Sequence, residues 1–299
     1  MLILAMPGNT ALANELATHM AMRPGTAAAD VMAHRFPDGE TLVRIDAPVQ
    51  GRTVVLACTL DHPDDKTLPL LFAADAAREL GATQVGLVAP YLAYMRQDHR
   101  FHPGEAVSSR SFARLLSASF DFLVTVDPHL HRWRNLDEIY TLRSRVVPAA
   151  PAIAAWVRDN VARPLLVGPD SESAQWVAEV ARLAQAPWTV MAKTRRGDRD
   201  VSVVLDAPAD AAGRTPVLVD DIISTGHTLI AAAQALQEAG LGQPLCIGVH
   251  ALFDDAAHQR MRAAGIARVL TCDCVAHATN AIAVAPSLAA AVAAMAGTG

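Results

Sequence analysis

A chain of 299 residues with 52% hydrophobic and 18% charged residues can build two cores in domains of roughly 150 residues each, which excludes global disorder. Its net charge of −5, with no basic stretch to offset it, removes nucleic acid from the expected partners. No run approaches the ~18 uninterrupted apolar residues of a membrane span, and four cysteines are too few for a disulfide framework, so a reducing cytoplasm is the expected location.

Met1-Leu2-Ile3-Leu4-Ala5-Met6 lacks the positively charged start of a secretory signal and reads as a first strand over 2–6. Apolar runs predict further strands at 53–57, 84–89 and 122–126, then at 165–167, 188–191, 201–205, 215–219, 245–249 and 268–271. Helix patterns lie between them: 66–80 closes on Gly81, 108–118 opens on a serine pair, and 229–239 stops at Gly240. This alternation predicts an α/β fold of mainly parallel sheets flanked by helices. Pro148, Pro151 and the alanines between them place a boundary that gives domains 1–147 and 148–299. The Ala-, Val- and Leu-rich tail after about 281 is expected to pack as a helix on either domain. Both halves carry a strand that ends in Asp at a polar turn, Val126-Asp127 and Val219-Asp220, a hint of duplication.

Four polar clusters in this frame carry chemistry that core packing does not explain. Phe36-Pro37-Asp38-Gly39-Glu40 makes a tight turn before the alternating 41–45; a plain hairpin needs no more, yet an exposed Phe beside two carboxylates also suits a stacked base. Pro90-Tyr91-Leu92-Ala93-Tyr94-Met95-Arg96-Gln97-Asp98-His99-Arg100 follows a strand and gathers cations where a polyphosphate could sit. Asp127-Pro128-His129-Leu130-His131 also follows a strand directly, which leaves metal binding, catalysis and a structural role open for its histidines. Val217-Leu218-Val219-Asp220-Asp221-Ile222-Ile223-Ser224-Thr225-Gly226-His227-Thr228 is the most informative stretch. It joins a buried strand to a helix through a loop whose backbone N–H groups and hydroxyls can cradle a phosphate. The adjacent carboxylates would repel that phosphate, so they suit sugar hydroxyls or a Mg²⁺ ion.

These motifs, together with Pro169-Asp170, occur in the order found in ribose-phosphate pyrophosphokinases, and the chain resembles that family from about residue 1 to about residue 280. The resemblance implies two tandem phosphoribosyltransferase-type domains. It also implies transfer of the β,γ-pyrophosphoryl group of ATP to the anomeric hydroxyl of ribose 5-phosphate, giving phosphoribosyl pyrophosphate and AMP. It assigns the adenine to Phe36, Asp38 and Glu40, from a neighbouring subunit of a homo-oligomer, and further ATP contacts to Arg96, Gln97 and Asp98. The Mg²⁺–ATP site falls to His129 and Asp170. Ribose 5-phosphate falls to Asp220 and Asp221 with Ser224, Thr225, Gly226, His227 and Thr228. Ala192-Lys193-Thr194-Arg195-Arg196-Gly197 resembles the family's catalytic loop, with Lys193 and Arg195 as its cations and a closing lid as the expected element.

The chain departs from the commonest bacterial pattern at several positions, which looks closer to archaeal-type members. Gly168-Pro169-Asp170-Ser171-Glu172-Ser173 lacks the glycines that often follow the Asp, so a ready backbone phosphate nest is missing. His227 takes a loop position that would be strained if it needed a positive φ. Two rival functions are a silent nucleotide-binding regulator and a phosphoribosyltransferase of base salvage; the first leaves Lys193 and Arg195 without a use, the second the first-half motifs.

Overall fold

The computed structural model describes residues 1–196, 200–205 and 211–297, with side chains described for 1–191 and 211–297. The chain divides into two compact units, Met1–Val147 with Ala285–Gly299, and Pro148–Val284.

In the first unit β1 (Leu2–Ala5), β2 (Ala27–Arg35), β3 (Thr41–Ile45), β4 (Thr53–Ala57), β5 (Gln84–Ala89), β6 (Phe122–Val126) and β7 (Arg143–Val147) form one sheet in the order β3-β2-β1-β4-β5-β6-β7. Every pairing is parallel except that of β2 with β3. The strands β1 and β4 to β6 are almost wholly buried, as a parallel sheet covered by helices requires. The helices are α1 (Thr10–His19), α2 (Pro63–Glu79) and α3 (Ser108–Ser119). Gly86 of β5 lies opposite Phe122 of β6, and a Cβ there would fall 2.1 Å from the Phe122 ring; glycine lets the ring lie across the neighbouring strand.

The second unit opens with α4 (Ala150–Asn160) and continues with β8 (Pro164–Gly168), α5 (Ala174–Ala184), β9 (Trp188–Arg196), β10 (Asp200–Leu205) and β11 (Thr215–Ile223). It closes with α6 (His227–Glu238), β12 (Leu245–Ala251), α7 (Asp255–Ala263), β13 (Arg268–Cys272) and β14 (Asn280–Ile282). Its sheet order, β10-β9-β8-β11-β12-β13-β14, repeats that of the first unit strand for strand, again with one antiparallel pair at the edge. The duplication is thus a feature of the topology. The two Asp-ended strands that hinted at it do not correspond, however: the counterpart of β11 is β4, and that of β6 is β13. The tail forms α8 (Ala285–Ala296), whose contacts with α1 and with β5 to β7 make it part of the first unit.

Sequence periodicity misses β2, β7 and β14. The first reads Ala-Ala-Ala-Asp-Val-Met-Ala-His-Arg with a mostly exposed face, and β7 alternates Arg, Ser and Arg, so neither shows an apolar run; backbone pairing with β1 and β6 makes them strands. The chain departs from β8 to opposite sides, toward β9 and toward β11, so the carboxyl ends of β8 and β11 flank the switch point where open α/β sheets bind ligands. No helix among the described residues is long and apolar enough to cross a membrane.

Candidate active site

In the second unit, Val217 to Val219 of β11 are fully buried, and the strand then continues through the two carboxylates to Ile223. The expected end at 219 is therefore too early. The partner β12 extends far enough to pair Asp220 with Gly248 and Ile222 with His250, which holds both acids in strand geometry. Asp221 donates its N–H to Asp220 Oδ1 at 3.0 Å. Burial is the main force that pushes the Asp220 carboxyl up to about 8, and the charges of Asp221 and then Asp170 add to it; the Asp221 N–H works the other way. A cluster of three carboxylates thus sits at the switch point, and it is too crowded for all of them to ionise at neutral pH.

Past Ile223 the chain turns through Ser224 and Thr225 into Gly226, which precedes α6 with φ of 77°. A Cβ on Gly226 would fall 2.8 Å from Met261, so both conformation and space ask for glycine. The positive φ lies here and not at His227, which is the first residue of α6; the strain expected at His227 is absent because the helix starts two residues before the predicted 229. Thr225, His227 and Thr228 are exposed, and Gly226 has no side chain to cap the helix, so the first-turn N–H groups face an open loop with hydroxyls beside them. Open N–H groups and hydroxyls at a helix start are able to accept a phosphate.

Asp170 follows β8. Its Oδ1 accepts from the N–H groups of Glu172 at 3.1 Å and Ser173 at 3.3 Å, while Ser173 donates its hydroxyl to the Asp170 carbonyl at 2.6 Å. The backbone donors of this glycine-free turn are therefore taken up by Asp170 itself. Gly168 makes room for the buried Ser173 hydroxyl, which would lie 2.4 Å from a Cβ there. The basic stretch begins on β9, which runs five residues beyond its predicted end, and the Cα atoms of Lys193 and Arg195 pair with those of Val203 and Val201 of β10. The side chains of Lys193 and Arg195 lie outside the described residues.

In the first unit the Pro-Asp-Gly turn joins β2 to β3 as a hairpin, closed by Phe36 N–H to Glu40 O at 2.7 Å and Gly39 N–H to Phe36 O at 2.9 Å. Asp38 Oδ1 accepts from the Glu40 N–H at 3.1 Å, Gly39 supplies a φ of 93°, and Phe36 is 40% exposed with its ring edge-on to His34. The loop after β5 is tied to Glu105, which accepts from the Gln97 carboxamide and from the N–H groups of Phe101 and His102. Arg96 is exposed. Asp98 is buried and spent on the protein: its Oδ1 meets His99 Nδ1 at 2.9 Å and Arg132 Nε at 3.4 Å. Asp98 therefore links this loop to the turn after β6 that bears His129 and His131. Sequence reasoning did not single out Arg132, because an ion pair between residues 34 positions apart leaves no local signal.

Family models match both parts of the chain: residues 1–119 match the N-terminal domain of ribose phosphate pyrophosphokinase and residues 137–290 match the phosphoribosyl transferase domain. The class is therefore that of chains joining such an N-terminal domain to a phosphoribosyltransferase-type domain. A ribose-phosphate pyrophosphokinase of Methanopyrus kandleri is 37% identical over 267 residues, 88% of this chain and 90% of the relative. One from Halobacterium salinarum is 33% identical over 92% of this chain and 95% of its own. The crystal structure of phosphoribosylpyrophosphate synthetase from Mycobacterium smegmatis matches with a TM-score of 0.81 and 25% identity, covering 100% of this chain and 99% of that one. The chain belongs to the ribose-phosphate pyrophosphokinase family.

The crowded carboxylates give a prediction for stability. Between about pH 4 and pH 8 the folded protein holds a proton on Asp220 that the unfolded chain has lost, so this group costs stability as pH rises through that window. Asp220→Asn removes the cost. Its melting temperature without ligands should exceed the wild-type value by several degrees at pH 8, and the gain should vanish near pH 4. A variant no more stable than wild type at pH 8 would show that Asp220 ionises without penalty.

Proposed function

We propose that this protein transfers the β,γ-pyrophosphoryl group of ATP to the 1-hydroxyl of ribose 5-phosphate, releasing phosphoribosyl pyrophosphate and AMP. The observation that carries the reading is the pair Asp220–Asp221 followed by the open loop at the start of α6, at the switch point of a phosphoribosyltransferase-type unit. In this reading the 224–228 loop binds the 5-phosphate and the two carboxylates bind the ribose hydroxyls. The O1 atom attacks the β-phosphorus while its proton passes to solvent, and the bond from that phosphorus to the oxygen bridging to the α-phosphate breaks, leaving that oxygen with AMP. Arg96 and Gln97 contact ATP, while buried Asp98 holds their loop in place. Lys193 and Arg195 stabilise the charge that develops on the transferring group. Positioning and charge neutralisation of this kind supply most of the acceleration in phosphoryl-type transfers.

The donor set fits a hard divalent cation, since oxygen ligands and mutual carboxylate repulsion are what such an ion satisfies and relieves. Mg²⁺, assigned here to the carboxylate of Asp170 together with ATP, would when bound neutralise the triphosphate. The four cysteines are buried and form no disulfide among the described residues, in line with the reducing cytoplasm we assign. The regulatory and base-salvage alternatives are weaker, because neither accounts for both halves of the motif set.

Incubation of the pure protein with ATP, Mg²⁺ and ribose 5-phosphate should yield AMP and phosphoribosyl pyrophosphate together, whereas ADP would make it an ordinary kinase. In the same assay Lys193→Ala should lower kcat by about 10³-fold with little change in ATP affinity, as expected of a group acting on the transition state. A loss of only a few-fold would remove Lys193 from the mechanism.

We further assign the projecting Phe36 hairpin to the adenine of a neighbouring chain, which makes the enzyme at least a dimer. An inactive variant altered at Phe36 and Asp38, mixed with one altered at Lys193 and Arg195, should recover activity toward about a quarter of wild type, since about half of randomly exchanged dimers carry one intact site of two. No recovery after proven exchange would mean that each chain completes its own adenine pocket.

A further inference from the structure

The segment that presents Arg96 and Gln97 is held by unlike means at its two ends. On the amino-terminal side Met95 is buried in the core of the first unit, and Tyr94 before it takes a left-handed φ of 62° while its hydroxyl donates to Asp64. On the other side the anchor is a charge, since the Asp98 side chain is only 8% exposed. A carboxylate withdrawn from water to that extent needs partners that replace its lost hydration. Arg96 lies between these two fixed residues and is exposed.

Two groups meet that carboxylate, and their chemistry separates them. His99 Nδ1 lies 2.9 Å from Asp98 Oδ1 and also 2.9 Å from Arg132 Nε. A ring nitrogen carries either a proton, which it can donate to the carboxylate, or a lone pair, which can accept from the guanidinium; it cannot do both. With the proton, His99 leaves Arg132 Nε to pair with Asp98 Oδ1 at 3.4 Å. Without it, His99 turns a lone pair toward Asp98, and the charge of Arg132 offsets the carboxylate. Arg132 is needed in both states, and as a guanidinium it stays charged in both. Its own place is set by the turn after β6, where Asp127 and His129 take left-handed angles with φ of 32° and 54° and the Arg110 guanidinium lies 5.1 Å over the neighbouring Trp133 ring.

We propose that Arg132 is a positioning residue for ATP: by compensating buried Asp98 it fixes the backbone from which Arg96 and Gln97 reach the nucleotide. It acts through Asp98 and makes no contact with ATP itself. Arg132 stands outside the motifs through which the chain resembles its family. This role rests on the functional reading above, in which Arg96 and Gln97 contact ATP.

The test is a double-mutant cycle on the full-length protein, with Mg²⁺–ATP and ribose 5-phosphate titrated separately by calorimetry. Arg132→Met should raise the Kd for ATP about tenfold, within the range of couplings found in ion-pair networks, and leave the Kd for ribose 5-phosphate unchanged. Asp98→Asn removes the charge that needs compensating, so Arg132→Met in that background should add little further loss. The control Arg134→Met, which removes a cation from an exposed position of the same turn, should leave the Kd for ATP unchanged.

Without any ligand, the backbone amide order parameters of Arg96 and Gln97 should fall in Arg132→Met. An ATP loss as large in the Asp98→Asn background as in wild type would show Arg132 touching ATP itself. Equal losses for both substrates would show a general structural defect, and unchanged order parameters would show that Arg132 fixes nothing. Each of these overturns the proposal. Wild-type protein that binds no ATP would instead defeat the functional reading, and the order parameters, which need no nucleotide, keep the two failures apart.

Discussion

Repulsion among carboxylates at one strand end is the constraint on which the second unit's chemistry depends. β11 delivers Asp220 and Asp221 to the end of a buried parallel strand, and β8 delivers Asp170 beside them. Nothing in the packing asks for this; the same strand ending in hydrophobic residues would be more stable. The cost falls on Asp220, which keeps its proton to about 8. Sugar hydroxyls donating to these oxygens, or a divalent cation between them, would replace lost water and offset the repulsion, so the unliganded site is poised for such partners. Stability given up at a strand end in this way is a common feature of functional sites.

The two units repeat one topology but spend it differently. In the second, the loop after β11 leaves hydroxyls and helix N–H groups open. Its counterpart after β4 is filled by the protein itself: Asn9 Oδ1 accepts from the Thr59 N–H at 2.8 Å, and Lys66 is bonded to the Thr59 carbonyl and paired with Asp61. The first unit instead places its exposed polar groups on the β2–β3 hairpin and on the loops after β5 and β6. There Asp98 and Glu105 act as internal ties that fix backbone positions, while exposed Arg96 faces outward. Duplication followed by such a division accounts for an open loop at the start of a helix in the second half and exposed polar groups on other loops in the first.

Much of this was legible in the sequence, for physical reasons. A strand such as Thr215 to Val219 is short, β-branched and apolar on both faces, and a glycine next to a run of hydroxyl residues marks a tight turn, so the strand β11 and the loop after it are legible. Backbone angles are not: by sequence His227 reads as a loop residue, but Gly226 absorbs the left-handed turn and lets the helix begin at once. The strands β2 and β7 carry too little apolar signal, since pairing rather than burial makes them strands. Contacts between distant positions left no trace either, and so Arg132 reaching Asp98, and Asp170 consuming the N–H groups of its own turn, emerge only from the fold.

The most direct test of the charge-crowding account is the titration of Asp220 itself, followed by ¹³C NMR of its carboxyl carbon in the ligand-free protein. The account predicts a midpoint near 8 that falls when Asp170 is replaced by Asn, since Asp170 contributes part of the upward shift. A midpoint near the ordinary ~4 of an aspartate, unmoved by that replacement, would contradict it.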